Sequence, residues 1–217
     1  MTKPPDIEST VPKAVVSRLS LYLRELQHIV RDGSDTTSST QLGQLLGFSD
    51  AQVRKDLAYF GQFGYPGIGY KCQELITEIK KIMGTNRAWP VVLVGMGNLG
   101  RALLGYKGFE QQGFHVVAAF EVDPKIIGTQ IEGIDVYHIR NLREIVINND
   151  VKLAIVAVPS GEAQSIAEEL VQAGIDGILN FAPVTITVPD NVSAVGVDLA
   201  IELEQLSFAV VNQTQKP

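Results

Sequence analysis

The run Val91-Val92-Leu93-Val94-Gly95-Met96-Gly97-Asn98-Leu99-Gly100-Arg101-Ala102 leaves this chain few folds to choose from. Four apolar residues that read as a buried parallel strand feed into Gly95-x-Gly97-x-x-Gly100, and Leu99, Leu103 and Leu104 open a helical pattern behind it. Gly95 permits the sharp turn, Gly97 lacks the Cβ that would hold a diphosphate off the backbone, and Gly100 lets the helix close on the strand. The whole turn, Gly95, Met96, Gly97, Asn98, Leu99 and Gly100, is therefore a candidate dinucleotide site, with the helix N-terminus facing the phosphates. A second apolar strand, Val116 to Phe120, ends at Glu121 and Asp123, where a dinucleotide fold places the carboxylate for the adenine ribose. Glu121, the first residue past the strand, is the favoured one.

Downstream, strand and helix patterns alternate. Strands are expected at 91–94, 115–121, 134–137, 153–158, 177–181 and 194–197, with helices at 98–107, 141–148, 162–173 and 200–211. Such alternation implies an α/β, Rossmann-like, doubly wound parallel sheet covered on both faces. Ligand groups then collect at the carboxyl ends of the strands, which brings Val158-Pro159-Ser160, Asn180-Phe181-Ala182-Pro183 and Gly196-Val197-Asp198 beside the glycine turn. The last helix is apolar on more than one stripe (Ala200, Leu203, Leu206 and Val210, with Ile201, Phe208 and Val211), more than docking on one sheet face requires. It is expected to pack in a second copy, giving a swapped C-terminal helix and a two-fold dimer.

The region before Thr85–Pro90 has a different character, so a boundary is placed there, with domains at 1–84 and 85–217. The net charge of −6 disfavours wholesale nucleic-acid affinity, yet residues 1–84 hold 10 basic against 9 acidic side chains while 85–217 hold 8 against 15. Only the N-terminal part can carry a phosphate-facing surface. After a polar 1–10, expected to fray, Val15, Leu19, Leu23, Leu26 and Val30 mark a long amphipathic helix with Pro12 as its first residue. Following a polar turn at 35–39, Ser38-x-x-Gln41 and Ser49-x-x-Gln52 read as capping boxes opening two short helices. This is a helix-turn-helix pattern whose last helix turns Gln52, Arg54, Lys55 and Tyr59 outward, residue types that read bases or grip phosphates. A small interaction domain with solvated charges fits the same pattern. The glycine- and aromatic-rich run 61–70 suggests a hairpin wing, and Leu75, Ile76, Ile79, Ile82 and Met83 mark a further helix stopped by Gly84.

The single Cys72 excludes an internal disulfide and fits a reducing cytosol; no apolar run approaches a membrane span, and a soluble cytoplasmic protein is expected. His115 and His138 read as structural, and no metal site is expected.

Together the two halves resemble the Rex family of redox-sensing transcriptional repressors. The resemblance runs from about Val11 to Asn212 through Arg18-Leu19-Ser20-Leu21-Tyr22-Leu23-Arg24, Ser38-Ser39-Thr40-Gln41-Leu42-Gly43, Gln52-Val53-Arg54-Lys55-Asp56-Leu57, Phe60-Gly61-Gln62-Phe63-Gly64, Gly67-Ile68-Gly69-Tyr70, the glycine turn, Phe120-Glu121-Val122-Asp123-Pro124 and Asn180-Phe181-Ala182-Pro183. It implies a winged helix-turn-helix domain joined to an NAD(H)-binding domain. It also implies a homodimer that binds an inverted-repeat operator in its NAD+ or ligand-free state and leaves it with NADH. Arg54 and Lys55 would contact DNA, with Gln52, Ser39 and Tyr59 in support and Arg18 on the same surface; Tyr106 and Asp198 would line the nicotinamide region, Asp198 from the other subunit. Two departures stand out. The wing reads Gly64-Tyr65-Pro66-Gly67 where the family carries an arginine, which shifts affinity toward the helix, and the ribose acid is Glu121 where the family has Asp.

Two other readings share the glycine turn. An NAD-dependent dehydrogenase lacks a carrier for acid/base work, since only His28, His115 and His138 offer imidazole and no tyrosine has a lysine four residues later. A coenzyme A-binding domain like those of acyl-CoA ligases has a similar turn, but the capped helix-turn-helix argues against it.

Overall fold

The computed structural model describes residues 11–214, so the expected frayed segment 1–10 lies outside the described residues. The chain divides into two compact units, one ending at Arg87 and one beginning at Ala88.

In the first unit α1 (Lys13–Arg31) buries Val15, Leu19, Tyr22, Leu23, Leu26 and Ile29, a stripe at three- and four-residue spacing. Pro12 is the residue before the helix rather than its first residue: its ψ of 138° is extended, and its carbonyl accepts from the amides of Val15 and Val16. A short strand, β1 (Thr36–Thr37), precedes α2 (Ser39–Leu46) and α3 (Asp50–Ala58). Ser38 and Ser49 cap these helices, their hydroxyls accepting from the amides of Gln41 at 3.0 Å and Gln52 at 3.1 Å. The reciprocal half of each expected box is not made. The Gln41 side chain accepts from the Thr37 hydroxyl, and Gln52 turns to Asp56.

The wing is the expected hairpin, β2 (Gly64–Tyr65) antiparallel to β3 (Gly69–Lys71). The segment read as a polar turn contributes β1 to it, pairing Thr36 with Lys71 and Thr37 with Tyr70. A Cβ on Gly69 would run into the Thr37 carbonyl, so glycine is what lets that third strand approach. The helix α4 (Cys72–Ile82) returns across α1, burying Leu75, Ile76 and Ile79, and Gly84 at φ 70° ends the turn behind it.

The second unit is a seven-stranded sheet. Its six parallel strands are β4 (Trp89–Val94), β5 (Phe114–Glu121), β7 (Ile134–His138), β8 (Leu153–Val156), β9 (Gly177–Asn180) and β10 (Ser193–Gly196), and β6 (Gln130–Ile131) pairs antiparallel with β7. The spatial order is β10-β9-β8-β4-β5-β7-β6, with Val94 opposite Phe120 on one side and Val156 on the other. Successive side chains alternate faces. Val92, Val94, Ala118 and Phe120 share a core with α7 (Leu142–Asn148) and α8 (Ala163–Ala173), while Val91, Leu93 and Ala119 share the opposite one with Leu103, Leu104 and Phe109.

The helix expected over 98–107 is two: α5 (Asn98–Leu104) and α6 (Lys107–Gln111). Tyr106 between them is extended, and its ring lies over Gly108, filling the space a Cβ there would need. The last described element is α9 (Leu199–Thr214).

Candidate functional site

The order of the parallel strands reverses between β4 and β8, and such a switch point opens a crevice outside the carboxyl ends of the two strands. The glycine turn sits there. Gly95 has φ 96°, and a Cβ on it would lie 2.5 Å from the Ala157 carbonyl oxygen and 2.9 Å from Val158 Cγ1. A Cβ on Gly100 would overlap the Gly95 carbonyl, whereas one on Gly97 would meet nothing within 4 Å. Two of the three glycines thus hold the turn against its own chain. The third leaves a clear approach to the backbone.

The strand ends line up as the alternation requires. Backbone amides of Gly95, Ala157, Phe181 and Val197 donate to the carbonyls of Phe120, Val94, Val156 and Asn180, so the row continues one residue past each strand. Val158 packs against Gly95, and Pro159 supplies the carbonyl that accepts from Glu162 ahead of α8. Glu121 stands beside the turn: its Oε2 accepts from the Met96 amide at 2.7 Å and its Oε1 from Val122 at 2.6 Å. Asp123 instead closes a local turn with the Lys125 amide at 2.9 Å. Arg101, which no motif singles out, donates from Nε to the Met96 carbonyl at 3.1 Å, so the amide and the carbonyl of Met96 are both engaged.

Three expected positions also make local contacts. The Asn180 amide accepts from Ala182 and donates to Val184, so this buried side chain shapes the 180–184 turn. Asp198, half-buried after β10, accepts from the Ala200 amide at 2.9 Å and starts α9. Tyr106 lies at the far end of α5 beside Phe114 and His115 at the start of β5, stacked edge-on against Phe109. Because α5 leads away from the crevice, Tyr106 does not meet the glycine turn of its own chain.

On the first unit, α3 presents Arg54, Lys55 and Tyr59 to solvent. Arg54 is held from two helices, its Nη1 donating to Asp50 at 2.7 Å and to the Ser39 hydroxyl at 3.1 Å. The hydrogen bond from Arg54 draws the Asp50 carboxyl below its ordinary pKa. Arg18, expected on the DNA surface, is turned inward: its Nε and Nη2 grip Asp56 at 2.5 and 2.8 Å. Asp56 also accepts from the Tyr22 hydroxyl at 2.7 Å and from Gln52 Nε2 at 2.6 Å. Burial works to raise the Asp56 pKa, but hydrogen bonds from Arg18, Tyr22 and Gln52 outweigh it and leave the carboxyl below the usual range. Sequence reading missed Asp56 as an organising residue. Its signal was a carboxylate on the inward stripe Val53, Asp56, Leu57, where an acid needs partners.

A recognition helix with its wing, on the same chain as a glycine turn at a sheet's switch point, defines the class of ligand-responsive transcription regulators. Comparison with known proteins narrows the class. The family model for the CoA binding domain matches residues 86–184, and the one for the putative DNA-binding protein N-terminus matches residues 10–58. The redox-sensing transcriptional repressor Rex of Carboxydothermus hydrogenoformans is 48% identical over 92% of this chain and 96% of its own. That of Desulfitobacterium hafniense is 48% identical over 92% and 95%. Among solved structures, RSP in complex with β-NAD+ and operator DNA is similar at a TM-score of 0.89 and 33% identity, over 94% of both chains. RSP in complex with β-NADH is similar at 0.85 and 31%, over 94% of this chain and 96% of that one. The chain belongs to the Rex family of redox-sensing transcriptional repressors.

Proposed function

We propose that this protein is a cytoplasmic repressor that holds operator DNA as a homodimer and releases it when NADH fills the α/β unit. The observation that carries the reading is the joining, in one chain, of a capped outward-facing helix to a glycine turn with open space above Gly97. The RSP complexes with β-NAD+ and operator DNA and with β-NADH support the choice of ligands. No helix among the described residues is long and apolar enough to cross a membrane.

In this reading the diphosphate lies over Gly95, Met96, Gly97, Asn98, Leu99 and Gly100, Glu121 takes the adenine ribose with Asp123 near it, and Val158 and Pro159 flank the nicotinamide side. Glu121 exchanges its Met96 bond for ribose hydroxyls, and a carboxylate at that place repels a 2′-phosphate. Arg54 and Lys55 grip DNA, Ser39 steadies Arg54, and Tyr59 and Gln52 border the contact. Dimerisation draws on α9, whose Leu203, Leu206, Phe208 and Val210 are each more than 60% exposed. An open apolar groove of about 320 Å³ over β8, β9 and β10, lined by Leu153, Ile155, Leu179 and Val195, offers a partner helix a seat. Asp198 at the root of α9 and the exposed Tyr106 then meet a nicotinamide from the second copy.

A sensor needs differential binding: NADH displaces DNA only by favouring a dimer whose two recognition helices no longer match successive major grooves. NADH and NAD+ differ by a hydride and one positive charge, so an apolar nicotinamide pocket accepts the neutral ring more readily. The test is operator binding by the purified protein across a salt series, with saturating NADH, with NAD+ and with neither. DNA held in the last two conditions and lost in the first supports the proposal; NADH binding that saturates while DNA affinity stays the same overturns it.

A further inference from the structure

The interior of the first unit holds a polar group with an unusual set of partners. Asp56 is 1% exposed and accepts four hydrogen bonds, two from Arg18, one from Tyr22 and one from Gln52 Nε2. Arg18 and Tyr22 belong to α1 and Asp56 and Gln52 to α3, so the recognition helix is tied to the first helix by its own carboxylate. An ionised carboxylate accepts and cannot donate. Gln52 can therefore face Asp56 only with its NH2, which leaves its carbonyl oxygen outside that contact.

Gln52 is the third residue of α3, in the stretch of a recognition helix that meets base edges. A glutamine amide can face a base in two senses that differ only by exchange of O and N. We infer that Asp56 is a specificity-positioning residue: by fixing the sense of the Gln52 amide it makes Gln52 present a carbonyl to the major groove. Gln52 then selects a base carrying an exocyclic amino group, adenine through N6 or cytosine through N4. Arg18 and Tyr22 serve the same end. They hold the carboxylate ionised and in place, which keeps its acceptor role fixed. The inference rests on the proposed DNA-binding function and adds to it what sets the sense of one contact.

The test is selection by the full-length protein, without NADH, from a pool of randomised inverted repeats, followed by affinity for single-base variants of the selected site. The unsubstituted protein is expected to show a symmetry-related position where an amino-bearing base is preferred roughly tenfold or more. Gln52→Met keeps the Arg18–Asp56 pair and is expected to lose preference there alone. Asp56→Asn keeps Arg18, which can only donate, so the new amide at 56 turns its oxygen to Arg18 Nε and the Tyr22 hydroxyl and its NH2 to Gln52. That turns the Gln52 amide over and is expected to move the preference toward guanine or thymine, whose groove edges carry carbonyls. An Asp56→Asn variant that keeps the original preference, even with affinity lowered uniformly, overturns the inference, as does Gln52→Met with an unchanged profile. Should Asp56→Asn not fold by circular dichroism, Gln52→Met with its single-position readout decides. No selection by the unsubstituted protein overturns the proposed function and this inference with it, an outcome distinct from selection without a switch.

Discussion

The recognition helix and the glycine turn are both built to meet phosphates, and they are prepared in opposite ways. On α3 the polar groups are tied before any ligand arrives, Arg54 to Asp50 and Ser39, Gln52 to Asp56. At the turn the preparation is mostly subtractive: no side chain occupies the space above Gly97, and Gly100 closes on the Gly95 carbonyl. Side chains that read must be aimed, because a free glutamine or arginine loses rotamer entropy on binding. Backbone that cradles must instead be uncovered. Substitutions should therefore separate the regions, with partners mattering on α3 and volume mattering at the turn.

The largest effect is expected at Asp56. Asp56→Ala leaves the part-buried Arg18 guanidinium and the Tyr22 hydroxyl without their acceptor and is expected to cost about 3 kcal/mol of first-unit stability, read by hydrogen exchange of the α1 and α3 amides. The same group sets an acid limit. Because the folded carboxyl titrates below its ordinary value of about 4, its contribution is complete above that value and disappears as pH falls through the lower folded one. First-unit protection should fall in that acid window and fall less in the Asp56→Asn variant. Equal acid sensitivity in both breaks the assignment.

Next comes the pair of glycines. Gly100→Ala places a methyl into the Gly95 carbonyl, and overpacking of this kind costs about 1–3 kcal/mol while displacing the turn. Both the melting temperature and NADH affinity should drop. Gly97→Ala is the sharper probe: φ at Gly97 is −68°, which any residue adopts, and its Cβ meets nothing within 4 Å. Melting should be unchanged while NADH affinity falls roughly ten- to hundredfold, the worth of one charged hydrogen bond to the diphosphate. Isothermal titration beside a thermal scan separates the two variants. Loss of stability in Gly97→Ala would show that the turn is supported by more than the absence of a side chain.

What the sequence revealed and what it hid divide along the same line. The parallel strands and their carboxyl ends were legible because Val91–Val94 and Val116–Phe120 are continuous apolar runs, the pattern of strands buried on both faces. Ser38 and Ser49 announced their helices by cap chemistry that acts over three residues. The partners of Arg18 were hidden because Asp56 lies 38 positions away, and no periodicity links an arginine on one helix to an acid on another. The strand at Thr36–Thr37 was hidden too. Two threonines in a polar stretch have no pattern of their own, and only the glycine at 69 makes room for them. The break between α5 and α6 was hidden as well, because Leu103, Leu104 and Phe109 keep a helical spacing across the extended Tyr106.

The smallest expected effect tests whether aiming on α3 begins at its cap. Ser49→Ala removes the acceptor for the Gln52 amide, a loss of about 1 kcal/mol for a helix of this kind. Ser38→Ala removes the matching bond at α2 and is expected to cost about the same in stability. The two should differ in DNA binding, because only Ser49 lies one turn before Gln52, and fraying there loosens the residue whose amide Asp56 orients. Ser49→Ala is therefore expected to weaken operator affinity a fewfold more than Ser38→Ala at equal loss of stability, in fluorescence anisotropy without NADH. Equal losses would mean that the bond to Asp56, and not the cap, holds the start of α3.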